Sequence, residues 1–248
     1  MDWRYIRLER NSHAFICGLT GSGKTELAQW IIRDRFKKYS VTYDPKHSST
    51  ISKWEGQTYI YTWSELMRSR ERRIVYRPSL KAYLKNGKLT NEAHDPDAQE
   101  EFFAYVFDRG RTRLVVDESS VLPGGSRPSY YLRMCLTQGR ELGISCVCLT
   151  QRPVDIPLVM MSEARKIYFF RLHMEEDMRR LQQITGVLIE RQQLLRKHQF
   201  FMYDYDYGSW PLPIILNLNF SRGPSSRYQV QSRLEGSMAY ASSGARAS

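Results

Sequence analysis

Between the apolar run His13-Ala14-Phe15-Ile16-Cys17 and an amphipathic stretch that begins at Thr25 stand eight residues, Gly18-Leu19-Thr20-Gly21-Ser22-Gly23-Lys24-Thr25. They fit G-x-x-x-x-G-K-[ST] at every fixed position. No other feature constrains the fold as strongly. Glycines let the backbone wrap closely round phosphates, and successive N–H groups plus the N-terminus of the following helix face the negative charge. That geometry needs a buried strand leading in and a helix leading out, which places the chain among α/β proteins. Gly18, Thr20, Gly21, Ser22 and Gly23 are expected to line the phosphate cradle, with Lys24 reaching the β- and γ-phosphates and the Thr25 hydroxyl ligating Mg²⁺. ATP or GTP is the implied ligand.

The rest of the chain supports a sheet of this kind. Thr25 to Lys38 carries Leu27, Trp30, Ile31 and Phe36 at helical spacing. Ser40 to Tyr43 reads as a strand stopped by Asp44-Pro45, Thr58 to Thr62 and Arg73 to Tyr76 as two further strands, with a helical piece around Ser64 to Ser69 between them. Residues 78 to 98 are polar and contain an Asn86-Gly87 turn signal, so they read as an exposed loop or insertion. Helices are expected over Asp97 to Asp108 and from about Ser129 to Leu142, and strands over Arg113 to Val116, Ile144 to Leu149 and Lys166 to Leu172. Two helical pieces divided near Thr185-Gly186 and a hairpin-like pair opening at Gln199 to Tyr207 complete the core. Strands alternating with helices at this spacing predict βαβ units and a mainly parallel sheet. From Ser221 onward Ser, Gly and Arg accumulate and apolar periodicity stops, so residues 1–220 are expected to form the folded domain and 221–248 a flexible tail.

A phosphate loop needs acidic partners at the tip of a neighbouring strand, and Leu114-Val115-Val116-Asp117-Glu118 offers two. Asp117 suits the metal, and Glu118 suits polarising an attacking water, because one carboxylate must stay ionised while the other accepts a proton. Glu118 therefore favours hydrolysis over transfer to a small acceptor. Gln151 closes the strand Ile144 to Leu149 by way of Thr150, where a polar side chain could sense the γ-phosphate. Arg140 lies just before the same strand.

Composition narrows the partners. Thirty-seven Lys plus Arg against 26 Asp plus Glu leave a formal charge of +11, which points to a polyanion, nucleic acid foremost. Hydrophobic residues at 42% exclude a mostly disordered chain. No stretch reaches the roughly 18 to 20 uninterrupted apolar residues that span a bilayer, and the start Met1-Asp2-Trp3-Arg4-Tyr5 lacks a secretory apolar segment, which reads as cytosolic. The four cysteines have no companion ligands at zinc spacing; Cys146 and Cys148, two apart, point the same way on a strand, and all four read as small, reduced, buried side chains.

At these residues the chain resembles the HerA/FtsK superfamily of ring-forming, DNA-pumping ATPases. The segment from Gly139 to Pro153, ending Leu149-Thr150-Gln151-Arg152-Pro153, carries the most specific part of the resemblance, and the matching blocks run from about residue 13 to residue 204. The resemblance implies a RecA-like P-loop NTPase core, ATP with Mg²⁺, and double-stranded DNA as partner. It assigns Lys24 and Thr25 to the phosphate-loop pair, Asp117 to the metal, Glu118 to catalysis, Gln151 to the sensor, and Arg140 to an arginine finger reaching the nucleotide of the neighbouring subunit in a homo-oligomeric ring of five or six. Only a dozen residues precede the first strand, leaving no room for the N-terminal barrel of HerA, and the membrane segments and DNA-reading domain of FtsK are absent. The remaining motor core resembles the compact genome-packaging ATPases of tectivirus-like icosahedral viruses, which implies capsid vertex proteins as partners and the host cytoplasm or the virion as location. Transfer of plasmid or cellular DNA is the alternative within the superfamily. A translocating ring needs cations facing backbone phosphates; Arg127, in the Pro-Gly-Gly loop at 122–128, and Lys81, Lys85 and Lys88 are the candidates. Tyr130-Tyr131 and Phe169-Phe170 read as core rather than as stacking platforms. A nucleotide kinase would need an acceptor pocket and an Arg-rich lid, and a GTP-dependent switch would need an Asn-Lys-x-Asp motif, which is not in the sequence.

Overall fold

The computed structural model describes residues 8, 9, 11–32, 39–119, 129–209 and 214–215. In chain order the elements are β1 (His13–Cys17), α1 (Lys24–Ile32), β2 (Tyr39–Tyr43), β3 (Thr58–Ile60), α2 (Trp63–Arg68), β4 (Arg73–Tyr76), β5 (Tyr83–Lys85), β6 (Lys88–Thr90), α3 (Pro96–Arg109), β7 (Thr112–Val116), α4 (Tyr130–Thr137), β8 (Ser145–Thr150), α5 (Val159–Ser162), β9 (Ala164–Phe170), α6 (Glu175–Thr185), α7 (Ile189–Gln193), β10 (Gln199–Asp204), β11 (Gly208–Ser209) and β12 (Ile214–Ile215). Phe36, the loop bearing Arg127, and the expected boundary at residue 220 with its tail lie outside the described residues.

The central sheet runs β11-β10-β9-β1-β8-β7-β2-β4-β3, with β12 pairing β10. From β9 to β3 every pairing is parallel, whereas β10 joins β9 antiparallel and turns back into β11. The central strands are buried along their whole length, as near-continuous apolar runs in a parallel sheet require. Alternate residues serve opposite faces. Phe15, Cys17, Val116, Cys146 and Cys148 join Phe102, Phe103 and Val106 of α3 and Leu132 of α4 in one core cluster. Ala14, Ile16, Val115, Val147 and Leu149 pack with Leu27, Ala28 and Ile31 of α1 in the other. The period of two in the strands thus splits the interior into two layers of packing around one sheet.

Helix ends follow their local chemistry. Thr62 and Glu65 form a capping box at the start of α2. Asp95 caps α3, with Pro96 at its first position. Ser129 caps α4, and Gly186 closes α6 in the left-handed conformation.

Four expectations are corrected. Residues 78–98 are not merely a loop: β5 and β6 form a two-stranded hairpin whose Asn86 and Gly87 both have positive φ, the conformation a two-residue hairpin turn demands. The helix expected to reach Leu142 ends at Thr137, because the chain must reverse into β8, and Gln138 to Gly143 do so through turn bonds such as Ile144 N–H to Gly139 O at 2.7 Å. Tyr130 is 65% exposed rather than core, while Phe169 and Phe170 are fully buried as expected. The acid-bearing strand β7 is not the neighbour of β1, since β8 lies between them.

Candidate active site

Parallel strands deliver their C-terminal ends to one edge, and their register decides which residues meet there. Cys17 lies opposite Thr150 and Phe169, Val116 lies opposite Cys148, and Tyr43 lies opposite Val116. The residues that follow therefore converge: Gly18 beside Thr150-Gln151, and Asp117-Glu118 between Gln151 and Asp44. This is the crevice at the carboxyl ends of the strands where open α/β sheets bind ligands.

The Gly18–Thr25 segment leaves β1 as a tight loop. Gly18, Gly21 and Gly23 have φ values of 151°, 71° and 110°. At Gly18 space decides as much as φ, because a Cβ there would sit 2.5 Å from the Cβ of Phe170. Gly18 N–H donates to Thr150 O at 3.3 Å and Leu19 N–H to Arg171 O at 3.1 Å, which tie the loop to β8 and β9. Lys24 is buried and its ammonium donates to the carbonyls of Gly18 (2.8 Å) and Leu19 (3.0 Å). Burial lowers its pKa, and the charges of Glu118 and Asp117 work against that shift. Thr20, Gly21, Ser22 and Gly23 occupy the loop, and Thr25 follows Lys24 in the first turn of α1.

Gln151 sits where the intervening strand places it, between the loop and the acids. Its Nε2 donates to Glu118 Oε2 at 2.7 Å, its backbone N–H donates to Glu118 Oε1 at 3.3 Å, and its Oε1 accepts from the Thr20 hydroxyl at 2.7 Å. A donor facing the carboxylate and an acceptor facing the hydroxyl fix the orientation of the amide. Glu118 is itself buried, holds a left-handed φ of 57°, and has the Lys46 ammonium 3.6 Å from Oε2. A non-glycine residue in that region is held there by its surroundings, as at many functional sites. Asp117 donates its backbone N–H to Tyr43 O, and its carboxyl is pushed up to about 7, first by burial and then by the charges of Asp44 and Glu118.

Several members of this site were not foreseen. Lys46 neutralises part of the acid cluster. Asp44, fully buried, accepts two bonds from Ser48 N–H and pairs with Arg77 Nε at 2.8 Å, fixing the end of β2. His198 Nδ1 lies 3.1 Å from Ser22 O, so a segment far along the chain braces the loop. The signal for Asp44 and Lys46 was their place just after β2; for His198 there was none.

Arg140 is not in this crevice. It lies in the turn before β8, at the opposite edge of the sheet from Gln151, with Nη2 donating to Glu163 O at 3.0 Å. Six strand residues separate the two edges, about 20 Å. Lys85 is committed to Asp95 and Asp97 at 2.7 Å each, whereas Lys81 and Lys88 are exposed. Among the described residues no group of three His, Cys, Asp or Glu side chains forms a ready cage for a metal, and no helix is long and apolar enough to cross a membrane.

No protein-family model matches the chain, and no curated protein matches it by sequence. Solved structures do match its fold. The genome packaging NTPase B204 of Sulfolobus turreted icosahedral virus 2, in complex with AMPPCP, aligns with a TM-score of 0.60 at 18% identity, over 79% of this chain and 93% of that one. VirB4 of Thermoanaerobacter pseudethanolicus aligns at 0.56 and 10% identity, over 81% and 87%. The pCW3 conjugation coupling protein TcpA, with ATPγS, aligns at 0.52 and 14%, over 81% and 59%. At these identities the likeness is one of architecture: the chain shares the α/β fold of these proteins, a mainly parallel central sheet flanked by helices.

Proposed function

We propose that this chain hydrolyses ATP and couples the reaction to movement of double-stranded DNA, working as a homo-oligomeric ring, and that it serves as a viral genome-packaging motor. The observation that carries the reading is the Thr20–Gln151–Glu118 connection, a sensor side chain bonded at once to the phosphate loop and to the candidate base. A nucleotide-binding fold without hydrolysis has no need of that link.

The loop N–H groups and Lys24 would bind the β- and γ-phosphates, which offer the Lys24 ammonium stronger acceptors than the two carbonyls it now holds. Thr25 and Asp117 would hold Mg²⁺; the crowding of Asp117 by Asp44 and Glu118 suits a cation, and Mg²⁺ is usually bound by one or two carboxylates plus substrate phosphates rather than by a protein cage. When bound, that ion supplies positive charge to the β- and γ-oxygens. Glu118 polarises a water whose oxygen forms the new bond to the γ-phosphorus while the bond to the β–γ bridging oxygen breaks, and Glu118 takes the proton. Gln151 times the step: while it donates to Glu118 the carboxylate is held, and turning its amide to the γ-phosphate releases it. Arg140, too far to serve its own site, would stabilise the transferring phosphoryl group in the next subunit, a role worth on the order of 10³ to 10⁵ in rate where such fingers operate.

Capsid vertex proteins are the proposed partners, and host cytoplasm and virion the proposed locations. Similarity to VirB4 and to a conjugation coupling protein favours a second reading, DNA transfer between cells. A mixing experiment tests the mechanism. Arg140→Ala and Lys24→Ala chains, each inactive alone, should regain turnover when combined, since mixed interfaces pair an intact loop with an intact finger. Full activity of Arg140→Ala alone would refute the trans role, and appearance of a phosphorylated nucleoside in place of free phosphate would turn the assignment to a kinase.

A further inference from the structure

Where β2, β4, β7 and β8 begin, the edge of the sheet opposite the phosphate loop holds an open cavity of about 890 Å³. Tyr39, Arg70, Arg72, Arg109, Arg111 and Glu141 stand in its lining, four cations against one acid. All four arginines are exposed. None of them has a carboxylate among the described residues at ion-pair distance, in contrast to Arg77, Arg152, Arg165 and Arg179, each of which does. Four exposed cations with no carboxylate among the described residues at ion-pair distance thus share one concavity.

The wall of the cavity is firm. The Arg109 guanidinium lies 3.7 Å over the ring centroid of Tyr39, whose hydroxyl is 3.1 Å from that of Tyr105. Arg111 is held at a φ of 42°, with its N–H donating to Leu142 O at 2.8 Å. Gly110 between them is packed so closely that a Cβ would meet Leu142 O at 3.0 Å. A left-handed arginine persists only where its surroundings hold it. The turn therefore displays Arg109 and Arg111 in a set arrangement beside Arg70 and Arg72, which precede β4.

We infer that this cavity docks the phosphate backbone of double-stranded DNA, an inference that rests on the DNA-motor reading above and gives it a surface. Guanidinium groups bind phosphate bidentately, and contacts to the backbone carry no sequence information, as suits a protein that moves any DNA. Four exposed cations spread round one concavity suit an extended polyanion, and duplex DNA presents one charge per about 1.7 Å.

The test is fluorescence anisotropy of a random-sequence 30-base-pair duplex against the full chain, over a range of salt. The chains compared are the natural one, the quadruple Arg70→Ala/Arg72→Ala/Arg109→Ala/Arg111→Ala variant, and a control losing equal charge elsewhere, Lys53→Ala/Arg68→Ala/Arg133→Ala/Arg196→Ala. Each phosphate contact contributes about 0.9 to the slope of log K against log salt. The quadruple variant should lose about 3.6 in slope and on the order of 10³ in affinity at 0.1 M salt, with DNA-free ATPase unchanged, while the control moves little. The Arg70→Ala/Arg72→Ala pair leaves the Tyr39 stack and the Arg111 turn intact and should show about half the effect, so it decides the matter if the quadruple variant fails to fold. Unchanged binding by these variants, or an equal loss in the control, overturns the inference alone. Unchanged DNA binding with loss of assembly overturns it in favour of a contact between copies. Failure of the natural chain to bind duplex DNA at all overturns the motor reading with it.

Discussion

His13 opens β1 with no exposed surface, and its Nδ1 accepts the backbone N–H of Cys146 at 2.9 Å across the β1–β8 seam. That bond requires a neutral ring with Nδ1 unprotonated. Burial, then the charge of Arg140, push its pKa down from 6.5 to about 4. The unfolded chain therefore takes up the proton near pH 6.5 and the folded chain only near 4, so protonation favours unfolding. Stability is complete above pH 6.5 and falls as pH drops through that window. At 1.36 kcal/mol per unit, the shift of about 2.5 units amounts to roughly 3 kcal/mol, of which about 2 is lost by pH 5. Urea unfolding at pH 7.5, 6 and 5 measures it, and His13→Asn is the comparison, since its amide oxygen can accept from Cys146 without titrating. The natural chain should lose about 2 kcal/mol more than the variant between pH 7.5 and 5, and Arg140→Ala should shrink that excess. Equal pH dependence in the natural chain and His13→Asn would refute the reasoning.

Gly18→Ala should abolish nucleotide binding, because its methyl would meet Phe170 at 2.5 Å; titration with a fluorescent ATP analogue reads the loss. Arg77→Ala leaves Asp44 buried without its cation and should cost about 3–5 kcal/mol in denaturant unfolding, while the exposed pair Arg179–Glu175 should contribute under about 0.5. Gln151→Leu removes the side-chain link between Thr20 and Glu118 and should lower hydrolysis at least tenfold, with analogue affinity within about twofold, as stopped-flow and binding curves will show.

Strand positions were legible because burial on both faces writes them as apolar runs, and the loop because glycine spacing is a backbone requirement. Their order in the sheet was not, since which strand lies between β1 and β7 is a matter of tertiary packing. That one fact places Gln151 between the loop and Glu118. The hairpin at 83–90 escaped notice as structure because Leu84 and Leu89, opposite each other, are 73% and 75% exposed, so no burial pattern marks it. Lys85 read as a free cation because Asp95 and Asp97 lie ten and twelve residues away and meet it only through that hairpin. Arg70, Arg72, Arg109 and Arg111 are dispersed in sequence and gather only because parallel strands begin at a common edge. Asp44 marks the end of a strand in the sequence, but its partner Arg77, like Glu118 beside Lys46, comes from the end of another strand.

The central claim, that hydrolysis is coupled to DNA, is tested most directly by steady-state phosphate release from the full chain as duplex DNA is added. ATP turnover should rise with DNA and saturate, the gain should fall steeply with salt, and Glu118→Gln should abolish it while still binding ATP. A rate indifferent to DNA, or a Glu118→Gln chain that hydrolyses as fast as the natural one, would contradict the account.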